Sequence, residues 1–173
     1  MLLLRPGEYR MRRLKLILVP VDGSPDSLIA VGSASRLARA AQAAIVLLRV
    51  VEPLPLWIYD PTLGLNTGPL IDPRWDEDRR QNAEHYVRQL AATLANSGLE
   101  VGADAVLGDV AAEIASYADQ QAVDLIVMAT HTRHGPARAR LGSVADEVVR
   151  TARQPVLLVN ADTLRRQAAS RAA

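Results

Sequence analysis

The sequence contains no cysteine and no phenylalanine, and only 3% of its 173 residues are aromatic. Without cysteine there is no disulfide framework, thiolate nucleophile, cysteine-ligated zinc or redox thiol pair. So few aromatics argue against the stacking platforms that grip single-stranded nucleic acid. Charge of neither sign is in excess: 20 Lys and Arg stand against 19 Asp and Glu, a net +1. No global field therefore points to nucleic acid or an anionic membrane as partner. Long apolar runs are missing too, and none reaches the ~18 residues that would span a bilayer. Met1-Leu2-Leu3-Leu4 is closed by Arg5-Pro6-Gly7-Glu8, too short for a secretory signal core. The expected address is the cytoplasm.

What is present is aliphatic. At 49% hydrophobic, the chain can bury a core of Leu, Val, Ile and Ala, and its length suits one domain. That domain is expected over residues 14–160, between an N-terminal extension (1–13) and an Arg/Ala-rich tail (161–173). Continuous apolar runs at 15–22, 44–51, 124–129 and 156–159, with a less regular one at 101–107, read as buried strands. Between them, 3–4-residue apolar spacing marks helices. Ser24-Pro25 and Gly108-Asp109 supply N-terminal caps, and Ser97-Gly98 and Gln154-Pro155 supply stops. Residues 52–73 carry Pro53, Pro55, Pro61, Pro69, Pro73, Gly64 and Gly68, so the expectation there is a long excursion loop with no single regular element. Trp57, Tyr59 and Trp75 gather in or beside it, which makes it a candidate lid or contact surface.

Alternating strands and helices predict a doubly wound α/β domain, a five-stranded parallel sheet with helices on both faces. In such sheets ligands sit at the carboxyl ends of the strands, where strand order reverses. Two features there carry chemistry. The stretch Thr130 to Ser143 holds His131, Arg133, His134, Arg138 and Arg140 and no acid, and it leads into a helix opened by Gly142-Ser143. Free N–H groups and the positive dipole end favour phosphate at such a terminus; a solvated basic loop with Ser143 as a plain cap reads equally well. Asp22, ending the first strand, can accept from ribose hydroxyls or an adenine amino group, or serve only as a turn residue. His131 and His134 lack a third metal ligand, and His85 sits on a charged helical face. Walker A, G-x-G-x-x-G and G-x-S-x-G patterns are all absent.

In this order, Ile17-Leu18-Val19-Pro20-Val21-Asp22-Gly23-Ser24, Leu48-Arg49-Val50, Gly108-Asp109, Asp124 to Met128, Leu141 to Ala145 and Gln154 to Val159 resemble the universal stress protein family over about Leu14 to Asn160. The resemblance implies a Rossmann-like fold related to the adenine nucleotide alpha hydrolases. It also implies ATP or AMP binding, with Mg²⁺ bridging phosphates. Pro20, Val21, Asp22 and Val50 would hold adenosine; Met128, Ala129, Thr132, Arg133, Gly142, Ser143 and Val144 would hold the adenine edge and phosphates. The ATP-binding pattern of Gly, two residues, Gly, nine residues, Gly-Ser falls here on Ala129, Thr132 and Gly142-Ser143, so only its end matches. Thr132 is the larger departure, since a β-branched residue resists positive φ. Arg133 offers electrostatic compensation.

The resulting expectation is a nucleotide-binding regulatory domain of the stress response, at most a slow ATP hydrolase. It is expected to form a homodimer through the otherwise bare last strand. A nucleotide-free dimeric scaffold is the alternative. Asp22 to Ser27 also faintly resembles the Ser-Gly-Gly-x-Asp-Ser loop of ATP pyrophosphatases, but an acid at its head would repel pyrophosphate.

Overall fold

Each apolar run closed by a turn signal becomes a strand, and each 3–4-periodic stretch between them becomes a helix. The computed structural model describes residues 2–3, 13–53, 56–60, 62, 65–70, 73–130 and 142–160, with the backbone alone at 2–3, 56–60, 65–70 and 73. Its elements are β1 (Leu2–Leu3), β2 (Leu16–Pro20), α1 (Pro25–Ala41), β3 (Ala44–Val51), β4 (Leu56–Asp60), β5 (Leu65–Leu70), α2 (Pro73–Ala95), β6 (Val101–Leu107), α3 (Val110–Gln120), β7 (Leu125–Thr130), α4 (Ser143–Thr151) and β8 (Val156–Asn160).

The main sheet has the order β1-β8-β7-β2-β3-β6, and every pair is parallel except β1 with β8. The chain winds outward from β2 through β3 to β6, then crosses to β7 and β8 on the other side. Winding therefore reverses between β2 and β7. Helices α1 and α2 cover one face over Ile17, Val19, Ile45, Leu47 and Val127. Helices α3 and α4 cover the other over Leu18, Leu48, Ile126, Met128 and Leu158. Alternate residues of one strand thus enter different cores, which is why these strands are apolar without interruption.

Two stretches depart from expectation. Leu2 and Leu3 pair antiparallel with Leu157 and Val156, so the edge expected to be bare has a partner at its first two residues. The 52–73 stretch contains a hairpin, not only loop: β4 and β5 pair antiparallel, Leu56 with Leu70 and Trp57 with Pro69, with a register irregularity between Trp57 and Tyr59. Both strands of a two-stranded ribbon are edges, where a proline nitrogen can face outward without costing a ladder bond.

Helix starts follow the sequence signals. Ser24 Oγ accepts from Ser27 N at 3.2 Å and Asp109 Oδ1 from Ala112 N at 2.9 Å. Two helix ends do not, because they use left-handed residues that are not glycine. Gln42 (φ 54°) ends α1 and Ala122 (φ 51°) ends α3. In both, the next residue's N–H reaches back to close a Schellman turn, Ala43 to Ala38 O and Val123 to Ala118 O, each at 2.9 Å. An alanine in this region costs about 1 kcal/mol against glycine. Ala122→Gly is expected to raise unfolding free energy by about 0.5 kcal/mol, the unfolded-state entropy of glycine offsetting part of the relief; urea denaturation reads the change.

At the β6 edge, Tyr117 of α3 donates its hydroxyl to Asp104. Burial, with the negative charge and acceptor oxygen of Asp104, pushes the phenol from 10.0 up to about 12. Folding therefore favours the protonated phenol. That contribution is complete below the ordinary phenol value and is lost as pH rises through about 12. Tyrosinate absorbance should include a late-titrating group from Tyr117, and Asp104→Asn should move it back toward 10.

Candidate ligand-binding cleft

Strand β2 pairs with β3 at five consecutive positions, Leu16 to Pro20 against Ala44 to Leu48, but with β7 at only two, Ile17–Leu125 and Leu18–Ile126. The amino ends of β2 and β7 are tied by Asp124, whose Oδ2 accepts from Lys15 N at 2.7 Å and Leu16 N at 3.0 Å. Past Leu18 the ladder stops and the strands part. Their divergence leaves a cleft of about 500 Å³ where the winding reverses, within the usual size of small-molecule sites.

The cleft brings together Pro20, Val21 and Asp22 from the end of β2, Val50 from β3, Met128 and Ala129 from β7, and Gly142, Ser143 and Val144 from the start of α4. Thr132 and Arg133, with the rest of the cationic stretch 131–141, lie outside the described residues. Five polar contributors were not anticipated from sequence: Ser24, Ser27, Arg49, Glu52 and Arg79. Arg49 had a usable signal, since it precedes Val50 in a strand ending at the same sheet edge. Arg79 comes from the second turn of α2, and nothing local marks it. Ile114 of α3 adds to an apolar wall with Val50 and Met128.

Asp22 is fixed by its own turn. Ser24 N donates to its Oδ1 at 2.9 Å, and Gly23 between them adopts φ 81°. Burial works against its charge, but hydrogen bonds from the Ser24 hydroxyl and amide and from the Ser27 side chain outweigh this and hold the carboxyl below its ordinary value. Asp22 is thus a carboxylate at neutral pH, suited to accepting hydrogen bonds.

The start of α4 differs from the other two described helix starts. Gly142 is its N-cap, and no side chain of the described residues caps it, whereas α1 and α3 are capped by Ser24 and Asp109. The first helical bond is Asp146 N to Gly142 O at 2.9 Å, and among the described residues the preceding N–H groups have no acceptor. A Cβ built on Gly142 would meet no atom of the described residues within 4 Å. The cleft therefore joins an uncapped helix terminus, an apolar wall and an ionised carboxylate.

On the cationic side, Arg79 Nη1 donates to Glu52 O at 2.8 Å and pairs with Asp76 at 3.3 Å. Arg49 Nη1 lies 3.5 Å from Val21 O. Among the described residues no group of three or more His, Cys, Asp or Glu is placed to hold a metal ion, and no helix is long and apolar enough to cross a membrane. His131 and His134 lie outside the described residues. His85 is exposed and bonded to Gln89 one turn on, at 2.8 Å.

Comparison with known proteins bears on fold and family. A universal stress protein of Methanocaldococcus jannaschii is 29% identical over 160 residues, covering 91% of this chain and 86% of that protein. The structure of the universal stress protein UspA from Lactobacillus plantarum matches with a TM-score of 0.65 at 27% identity, over 86% of this chain and 99% of its own. A universal stress protein solved in complex with cAMP shares the fold, with a TM-score of 0.61 at 22% identity over 87% and 99% of the two chains. The model of the universal stress protein family matches residues 13–160, and the chain belongs to that family.

Proposed function

We propose that the cleft binds an adenine nucleotide, ATP or AMP, and that the domain is a regulatory module of the stress response rather than a fast enzyme. The observation that carries this reading is the uncapped start of α4, with Gly142 bare of a side chain at the cleft. Phosphate oxygens would accept the free N–H groups and the Ser143 hydroxyl, favoured by the helix dipole. Mg²⁺ would be held by those oxygens, not by a protein cage. Asp22 would take sugar hydroxyls or the adenine amino group, beside Val50 and Met128. Relatives of the same fold have been solved with cAMP and, in Archaeoglobus fulgidus, with dAMP, which supports an adenine ligand. Ala129 and Thr132 replace glycines of the ATP-binding pattern and would weaken the phosphate grip.

A cytoplasmic homodimer formed through β8 belongs to the same reading. It requires β1 to leave, or be extended past, the edge at Val156 and Leu157. Light scattering at micromolar concentration should give a dimeric mass; a monomeric mass rejects this part alone.

Freshly purified protein, denatured and chromatographed, should release adenine nucleotide, and calorimetric titration with ATP and Mg²⁺ should give saturable heat. Empty protein with neither heat nor a thermal shift would replace this reading with a nucleotide-free scaffold.

A further inference from the structure

Residues from both faces of the sheet line the cleft, and the two sets form its two lobes. The α4 terminus belongs to the layer of α3 and α4. Arg49 alternates with Leu48 and Val50 and shares its side of β3 with Ile45 and Leu47, which pack under α1 and α2. Its guanidinium is half-buried, lines the cleft and carries five N–H donors. Yet its one hydrogen bond among the described residues is the 3.5 Å contact to Val21 O.

The nearby acids do not neutralise Arg49. Asp22 is held by Ser24 and Ser27, Asp76 pairs with Arg79, and the Glu52 side chain is exposed to water. Among the described residues this half-buried cation, with one long hydrogen bond, lacks the partners that such groups ordinarily have. A phosphoryl group matches its planar fork of donors. The guanidinium is also placed deliberately: its Nη1 is 3.2 Å from where a Cβ on Gly23 would stand. It therefore lies against the turn that presents Asp22.

We propose that Arg49 is a second anion subsite, selecting a nucleoside that carries a phosphoryl group on its ribose, at the 2′ or 3′ position, in addition to its 5′-phosphate. This rests on the nucleotide reading above, with the 5′-phosphate at α4 and the sugar at Asp22. A mononucleotide uses one anion-favouring lobe of the cleft; a bisphosphate uses both.

Calorimetric titration of the full chain with adenosine 5′-phosphate, adenosine 3′,5′-bisphosphate and adenosine 2′,5′-bisphosphate tests this. One of the bisphosphates is expected to bind about tenfold or more tightly than the monophosphate. Arg49→Gln should bring that ratio to about one, and Arg49→Lys should leave an intermediate value, because a point charge lacks the fork. Thermal melts establish that each variant is folded, and either one suffices for the test. Measurable monophosphate binding with a ratio near one in the native protein overturns this inference alone, as does a ratio unchanged in the variants. Absence of binding by all three compounds overturns the nucleotide reading and this inference with it.

Discussion

Gly142→Val is expected to lower nucleotide affinity by at least about a hundredfold, a loss of roughly 3 kcal/mol, while the protein stays folded. Gly142 has φ −54° and ψ 151°, an extended conformation open to valine. Nothing among the described residues within 4 Å would oppose the new Cβ. Gly142 lines the cleft at the start of α4, where the proposed phosphate needs direct approach to the backbone N–H groups. Valine is a poorer N-cap than glycine by up to about 1 kcal/mol, so the melting temperature should fall by no more than about 4 °C. Calorimetric titration beside a thermal melt separates the two effects. Native affinity in this variant places the phosphate elsewhere.

Alanine at Ile17 and alanine at Leu18 should each destabilise the fold by about 3 kcal/mol, within the roughly 2–5 kcal/mol range for large-to-small changes at closed core sites. The two residues are neighbours in β2, both with 0% exposure, and they face different helical layers. A strand in a sheet with one wet face would tolerate one of the two changes, because successive side chains point to opposite sides. Urea midpoints that fall alike for both variants report two cores back to back. A large loss from only one would contradict the two-layer packing.

Much of this architecture was legible in sequence because two-sided burial leaves a strong mark. Ala44 to Val51 cannot be half-wet, and the strand observed there has those same bounds. Ser24 and Asp109 were readable as caps since the residue needed is adjacent to the bond it makes. Gln42 and Ala122 were not, because each adopts a left-handed turn without the glycine that normally signals one. The β4–β5 hairpin was hidden by prolines that exclude helix but not an edge ribbon. Leu2–Leu3 gave no sign of pairing because two residues carry no periodicity. In the cleft, residues at strand ends and at the start of α4 were identifiable from motif and position. Arg79 was not: it reaches the cleft through the packing of α2, a long-range fact with no local pattern.

The two-rung ladder between β2 and β7 has one more consequence. A cavity opened by diverging main chains is not owed to any small side chain, so enlarging or shrinking a lining residue changes what fits without closing the hole. With Asp124 pinning the narrow end, the opening behaves as the wide end of a wedge whose apex is hydrogen-bonded shut. Variation in the lining can therefore change what the cleft admits one contact at a time, while the wedge itself is kept by the main chain.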